Sequence, residues 1–214
     1  EKAYGHIPPQ PSIPAQRIRP QEPTPAGPRT VTLSDPRVEQ PSMRRYYLVP
    51  SSVTAAQTEG SALEVLAQLM GAGSNSYLYQ ALVVNKPLAV SAGAWYQGTA
   101  VDPSQFGIAA SPKPGVAFAD VEKAIDEVIA KLATDPVPAE DLERIKTQMI
   151  AESVYAQDSQ TTLARWYGAA ITVGMSVDDV RAWPDRIRAV TAEQVRDAAR
   201  TWLDKKRSAT GYLV

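Results

Sequence analysis

The stretch GSALEVLAQLMGAGSNSYLYQALVVNKPLAVSAGAWY, residues 60–96, decides the fold. Apolar residues recur in it at helical spacing and predict one helix over about 55–71 and a second over about 75–85. Between the two, GAGSNS predicts a helix–helix turn in which Ser74 or Asn75 caps the second helix. The stretch then becomes rich in residues typical of a strand.

The rest of the chain alternates strands and helices around this stretch. Strands are predicted over 29–35, 43–50, 88–98, 104–113 and 208–214. Further helices are predicted over 121–132, 142–155, 159–174 and 192–203. Ser176 with Asp179 resembles a helix N-terminal signature, and Thr191 with Gln194 is the closer match to a capping box. This order predicts an α+β fold, a two-layer structure in which a mixed β-sheet carries helices packed on one face.

Proline divides the chain into two parts. Residues 1–50 contain 11 of the 18 prolines. Proline lacks an amide donor and fixes φ, so such a segment is extended rather than part of a core. We predict a proline-rich linker over 1–41 and a domain over 42–214. A proline-rich ligand for a recognition module is the less favoured reading of the same segment.

Composition excludes several classes of function. The 214 residues carry 22 Lys and Arg against 23 Asp and Glu, a formal net charge of −1, so no overall basic field attracts nucleic acid. Cysteine is absent and His6 is the one histidine, which rules out thiolate sites and the common two-histidine zinc motifs within this chain. No apolar run reaches the roughly 18–20 residues needed to cross a bilayer. These absences argue against a self-sufficient enzyme.

Residues with candidate chemistry each have a simpler structural explanation. His6 could share a metal with another chain, but a solvent-exposed or locally packed histidine is favoured. The GAGSNS turn could bind an anion at a helix N-terminus, yet it lacks the Lys-Ser/Thr of a phosphate-binding loop. The sequence has no G-x-S-x-G motif and no histidine near a serine. No residue stands out as a catalyst.

Charged residues near predicted helix ends are also explained by structure. The acidic pairs at 140–141 and 178–179 lie where helices begin, and carboxylates there interact favourably with the helix dipole. The basic run Lys205–Arg207 follows a helix C-terminus, where positive charge is favoured. Glu152 and Asp158 fall near the end of a helix and could reach a cleft, but the sequence does not fix their geometry.

The amino-acid sequence of these segments resembles that of the pitrilysin/insulinase family of zinc peptidases. In residues 60–96, the helix, the glycine-serine turn and the short helix before a strand are similar to a stretch of that family. Residues 102–159 resemble its helical continuation, and IRAVTAEQVRDAARTWLDKKRSATGYLV, 187–214, is the most specific piece. Residues 4–50 are similar to the linker between two homologous halves. The resemblance covers essentially the whole chain.

The resemblance implies a half without metal. Members of the family are built from homologous α+β halves that enclose a chamber for unfolded or short peptides. The first half carries an inverted H-x-x-E-H motif, with which zinc and glutamate activate water for attack on a peptide bond. This sequence cannot contain that motif, because His6 is its one histidine. It resembles the C-terminal, metal-free half, with no cofactor of its own and with zinc expected in the preceding half of the parent protein.

Two positions depart from the family. One metal-free half usually supplies an arginine and a tyrosine, seven residues apart, that help to bind substrate across from the zinc. The matching segment LVVNKPLAV places Val83 at the arginine position and Val90 at the tyrosine position. Valine offers neither a guanidinium nor a phenol. Arg165 and Tyr167 lie on a different predicted helix and do not replace the pair. The resemblance thus implies a half that neither cleaves nor clamps substrate.

The double absence fits two-subunit members, including the mitochondrial processing peptidase type. The chain would be the non-catalytic C-terminal domain of a zinc-dependent endopeptidase subunit, forming chamber wall and partner interface. The implied partners are the zinc-bearing N-terminal half of the same polypeptide, a second homologous subunit and the peptide substrate. This chain alone would not be an enzyme, whereas its parent would be a zinc metalloendopeptidase.

Two other functions stay open. One is a structural or assembly subunit of the same fold without peptidase activity, like the core proteins of respiratory complexes. The other is an unrelated α+β binding module with a proline-rich arm. Because the chain begins at Glu1, we expect a processed product or a piece of a longer chain. Lack of cysteine agrees with both the periplasm and the cytoplasm, so the sequence does not fix the location.

Overall fold

A five-stranded mixed sheet forms one layer of the protein. The computed structural model describes residues 5–8, 23, 25–56 and 58–214. The strands are β1 (Arg29–Leu33), β2 (Ser42–Val49), β3 (Ala89–Tyr96), β4 (Ser104–Pro112) and β5 (Ser208–Leu213). Their order across the sheet is β1-β5-β2-β4-β3. β1 runs parallel to β5, and every other neighbouring pair of these strands is antiparallel.

Helices form the second layer and pack on one face of the sheet. The described residues form the α-helices α1 (Glu59–Gly71), α2 (Tyr77–Tyr79), α3 (Phe118–Thr134), α4 (Ala139–Ala156), α5 (Gln160–Thr172), α6 (Val177–Arg181), α7 (Trp183–Ala189) and α8 (Ala192–Trp202). A π-helix spans Gln80–Asn85, and a 3₁₀ turn spans Lys205–Arg207. The two-layer α+β architecture predicted from the sequence is confirmed.

Burial alternates along β2 as the two-residue period of a strand requires. Its buried side chains, which face the helices, are Met43, Arg45, Tyr47 and Val49. The intervening side chains point to the opposite side of the sheet, which we call the outer face. Three of the four inward residues are apolar or aromatic, and Arg45 is the exception.

Helix α1 is the centre of the helical layer. It contacts β3, α4, α7 and α8, and most of its residues are buried. Its last residue, Gly71, lies directly against β3: a Cβ built there would be 2.0 Å from the backbone nitrogen of Ala94. Only a residue without a side chain permits this approach between helix and strand.

The helix predicted over 75–85 is different in detail. It is a short α-helix, α2, followed by the π-helix, in which Lys86 N donates to Ala81 O at 3.0 Å. The wider turn leaves Leu82 O free to accept from Leu88 N at 2.9 Å, which folds the chain back toward β3. Periodicity alone does not distinguish the two helix types.

The predicted cap of that helix is wrong. Neither Ser74 nor Asn75 caps it, because Ser76 precedes its first residue. The Ser76 hydroxyl donates to Gly73 O at 2.8 Å and so closes the turn instead of accepting a helix amide. Gly73 has a φ of +72°, which reverses the chain within the GAGSNS segment.

Both capping signatures in the second half are confirmed. Ser176 with Asp179 begins α6, and Thr191 with Gln194 begins α8, each as a complete capping box. In α3 the predicted apolar stripe faces the core, with Val121, Ala124, Ile125, Ile129 and Leu132 buried. Local signals therefore located these helices well.

The first strand lies inside the segment that we assigned to the linker. β1 pairs with β5 over five residue pairs, from Arg29↔Ala209 to Leu33↔Leu213. All five of its side chains are exposed. Most of the proline-rich stretch lies outside the described residues, so the division of the chain at residue 41 stays a prediction.

Candidate functional site

A buried ionic cluster joins β2 to α3. The side chain of Arg45 is 0% exposed, and its Nη2 lies 2.6 Å from Glu122 Oε2. Its Nη1 donates to Asp126, and its Nε donates to Thr210 Oγ1 at 3.3 Å. Removing a guanidinium from water is costly unless its donors are paired, and here two carboxylates pair with it. The cluster thus fixes the sheet against the helical layer.

Two further residues complete the cluster. Lys205 Nζ donates to Asp126 Oδ2 at 2.8 Å, and the Tyr212 hydroxyl donates to Glu122 Oε1 at 2.5 Å. Burial, together with the hydrogen bond to Glu122, raises the pKa of Tyr212 to about 12. Burial opposes the charge of Arg45, but its neighbours Tyr47 and Asp126 outweigh that effect and the pKa stays above its ordinary value. At neutral pH Arg45 is therefore a permanent cation and the cluster is structural.

A cavity of about 1020 Å³ lies on the helical side, between α1, α4, α5 and α7. Glu64 of α1 reaches it, and Trp183 Nε1 donates to Glu64 Oε2 at 2.9 Å. Burial raises the pKa of Glu64, and the Trp183 hydrogen bond and nearby Arg186 reduce that shift. A carboxyl group with a raised pKa in a cavity is a candidate binding group.

The outer face of the sheet is uncovered by the helices of the described chain. At its β1 edge Val31 is 67% and Leu33 61% exposed, next to Leu213 of β5. Farther across, the Tyr46 and Trp95 rings meet edge to face with centroids 5.8 Å apart. Sheets normally bury an apolar face against another layer. These exposed apolar and aromatic side chains make the outer face a candidate interface.

The two family positions lie on adjoining elements. Val83 is on the π-helix and packs partly against the core, and Val90 is on β3 with 47% of its surface exposed. β3 contacts the π-helix. Whether these positions correspond to the family's arginine and tyrosine stays a prediction. Arg165 is exposed on α5, and Tyr167 lines the cavity.

The described residues do not fit a zinc ion. No group of three or more histidine, cysteine, aspartate or glutamate side chains in the described part of the chain could hold a metal. His6 is exposed and lies well before the first strand in the sequence.

Other charged residues are placed as the sequence indicated. Glu140 and Asp141 lie in the first turn of α4, and the pair at 178–179 lies in the first turn of α6. The basic run after α8 forms the 3₁₀ turn, where Arg207 stacks 4.5 Å above the Trp202 ring. Glu152 lines the cavity and accepts from Gln148 at 2.9 Å, and Asp158 falls in the turn after α4.

Sequence reasoning missed both the cluster and the cavity. Arg45 stands in a strand among apolar inward positions, and that alternation was the available signal. The cavity has no local signal, because its walls come from segments far apart in the chain.

The helices of the described residues include none with the length and apolar character of a membrane span.

The family model described as "Peptidase M16 inactive domain" matches residues 1–149. The chain belongs to the peptidase M16 inactive-domain family. This M16 assignment confirms the resemblance to the metal-free C-terminal half of pitrilysin-type proteins, and an inactive domain agrees with a chain that does not itself catalyse.

Solved structures share the fold of this M16 domain. A protease from Helicobacter pylori aligns with a TM-score of 0.81 and 22% identity over 92% of this chain and 47% of its own. An inactive peptidase domain from Bordetella parapertussis aligns with a TM-score of 0.72 and 19% identity, over 82% of this chain and 92% of its own. A chain of complex III2 from Candida albicans aligns with a TM-score of 0.72 and 10% identity, over 86% of this chain and 45% of its own. The chain thus spans about half of the Helicobacter protease. No curated protein matches it significantly.

Proposed function

We propose that this chain is the non-catalytic C-terminal domain of a zinc-dependent endopeptidase subunit. It forms a wall of the peptide chamber and an interface for its partners. Peptide hydrolysis takes place on a separate zinc-bearing half. The observation that carries this proposal is the uncovered outer face of the sheet, in a chain whose family is that of the M16 inactive domain.

The outer face supports an interface role through its exposed apolar side chains. Val31, Leu33 and Leu213 form a cluster at the edge of the sheet where β1 and β5 meet. Apolar side chains that cluster on a surface favour burial against another protein. The partners that we propose are the zinc-bearing N-terminal half of the same polypeptide and a second homologous subunit. The 47% coverage of the Helicobacter protease supports a further half of comparable size.

The same proposal assigns no substrate clamp to this half. Val83 and Val90 stand where the family resemblance places an arginine and a tyrosine, and neither side chain can donate a hydrogen bond. The clamp is therefore supplied by the partner subunit. Residues 1–41 act as the linker that connects the two halves.

Binding of the preceding half tests the interface. The chain and the zinc-bearing half encoded upstream of Glu1 are produced separately, mixed and analysed by gel filtration. We expect a complex that the substitution Val31→Lys weakens, because it places a charge on the outer face. The matched control is Val154→Lys, on an exposed valine of α4 (55%), which should leave binding unchanged.

Zinc and activity are measured on the same samples. The mixture should hydrolyse an unfolded peptide and contain about one zinc per complex, and this chain alone should do neither. Proteolysis by the isolated chain, or binding that is equally sensitive to both lysine substitutions, would overturn the proposal.

A second candidate is a structural subunit of the same fold without peptidase activity. The fold shared with a chain of the Candida complex III2 supports it. The discriminating feature is an H-x-x-E-H motif in the half that precedes Glu1: a peptidase subunit carries it, and a purely structural subunit does not.

A further inference from the structure

The cavity beside α1 has the size of a ligand site. Its volume of about 1020 Å³ lies at the upper end of the range for small-molecule pockets. Its walls combine polar and apolar surface in similar amounts, and the apolar part includes Met149, Trp166, Tyr167, Met175 and Trp183. Of the residues in α5, only Ala170 is buried, so this wall is open to solvent.

Most charged side chains that line the cavity already have partners. Glu152 accepts from Gln148, and Asp179 accepts from the Ser176 backbone nitrogen at 2.7 Å. Arg181 lies 3.7 Å from Asp178. These groups need no ligand to compensate their charge.

Glu64 and Arg186 are different. Glu64 Oε2 accepts from Trp183, but its Oε1 has no hydrogen-bond donor among the described residues. Arg186 likewise forms no hydrogen bond or ion pair with a described residue, although its positive charge lowers the pKa of both Glu64 and Asp179. One cavity therefore presents a carboxyl group and a guanidinium, each with unused hydrogen-bonding capacity, next to aromatic side chains.

We propose that this cavity binds a zwitterionic apolar amino acid or short peptide. The α-ammonium of the ligand binds Glu64, its carboxylate binds Arg186, and its apolar side chain contacts the aromatic wall. A zwitterion offers an ionised hydrogen-bonding group to Glu64 and to Arg186 at once, and hydrogen bonds between ionised groups are among the strong ones. Its apolar side chain also displaces water from the wall. This function adds a peptide-binding site to the domain, separate from any site on the outer face.

The dipeptide Leu-Leu is the probe. It is titrated into the 214-residue chain and followed by calorimetry and by tryptophan fluorescence, since Trp166 and Trp183 line the cavity. N-acetyl-Leu-Leu and Leu-Leu amide each remove one terminal charge. We expect each blocked form to bind about tenfold or more weakly than free Leu-Leu.

Variants assign each terminal charge to a residue. Glu64→Gln should abolish the preference for the free over the acetylated N-terminus, and Arg186→Gln should abolish the preference for the carboxylate over the amide. The matched control is Arg188→Gln on the same helix, whose guanidinium pairs with Asp185 outside the cavity. It should bind like the unmodified chain.

Three outcomes would overturn the proposal: no binding of Leu-Leu at millimolar concentration, equal binding of free and blocked peptides, or full discrimination in both glutamine variants. Circular dichroism establishes that each variant is folded. Because Arg186 is partly exposed, its substitution tests the site even if Glu64→Gln disturbs folding. The assay needs no zinc-bearing half, so its result is independent of the proposed peptidase role.

Discussion

Arg45 of β2 and Glu122 of α3 form an ion pair of 2.6 Å across the boundary between sheet and helices. No part of the Arg45 side chain is exposed, whereas its second carboxylate partner, Asp126, is partly hydrated. A buried cation depends on both carboxylates, because water cannot replace them. The pair is therefore sensitive to loss of either charge.

Removal of the cation should be strongly destabilising. Arg45→Met leaves Glu122 and Asp126 without their buried partner and should lower the free energy of unfolding by about 3 kcal/mol. Urea denaturation measures the change. The control is Arg44→Met, because Arg44 is exposed on the outer face and its loss should cost less than about 0.5 kcal/mol. Similar losses for the two variants would contradict a structural role of the cluster.

The charge of Glu64 should reduce stability as pH rises. Burial raises its pKa in the folded protein above the ordinary value of about 4.3. Stability linked to this group is therefore fully present below about pH 4 and is lost as pH rises through the folded pKa. Glu64→Gln removes that loss. We expect the variant to gain stability over the unmodified chain between pH 4 and pH 7, measured by urea unfolding. A difference that stays constant over this interval would exclude the effect.

Replacement of glycine by alanine should have opposite effects on stability at Gly71, which contacts β3, and at Gly168, which has open space around it. Gly71→Ala places a Cβ 2.0 Å from Ala94 N and should cost about 2–3 kcal/mol, because the helix end must move. Gly168→Ala, in α5 with open space around the new Cβ, should gain about 0.5–1 kcal/mol from helix propensity. Thermal unfolding of both variants measures the contrast. A Gly71→Ala variant as stable as the unmodified chain would mean that the helix end is not fixed by β3.

The capping box of α8 should contribute measurably to stability. Thr191 Oγ1 accepts from Gln194 N at 3.3 Å, and Gln194 Oε1 accepts from Thr191 N at 2.9 Å. Thr191→Ala removes the first bond and should cost about 1 kcal/mol. Thr191→Ser keeps a hydroxyl and should restore most of it. Equal unfolding midpoints in urea for the alanine and serine variants would show that the hydroxyl does not matter.

Elements with local signals were predictable from the sequence. The stripe along α3, the strand pattern of β2 and the box at Thr191 each depend on residues within a few positions of one another. The returning strand β5 was also expected, although its parallel pairing with β1 was not. Register between distant strands depends on the whole sheet and leaves no local pattern.

Features that depend on distant residues could not be predicted in the same way. Arg45 meets Asp126 from 81 positions away, and Trp183 meets Glu64 from 119 positions away. The π-helix is accompanied by a hydrogen bond from Leu88 N to Leu82 O. Apolar spacing carries no sign of that bond, so it predicted an ordinary α-helix. Residue types alone showed charges and aromatic rings, and only the packing of the helices showed which of them share a cavity.

The parallel pairing of β1 with β5 has a mechanical consequence. Since both strands run in the same direction, the start of β1 at Arg29 and the end of β5 at Leu213 lie at opposite ends of the ladder. Tension between an upstream segment and the C-terminus therefore loads the β1–β5 hydrogen bonds together, in shear. Pulling through Arg29 and Ser208, at the same end, would open them one at a time. Single-molecule force measurements should accordingly find a higher unfolding force for the first pair of attachment points than for the second.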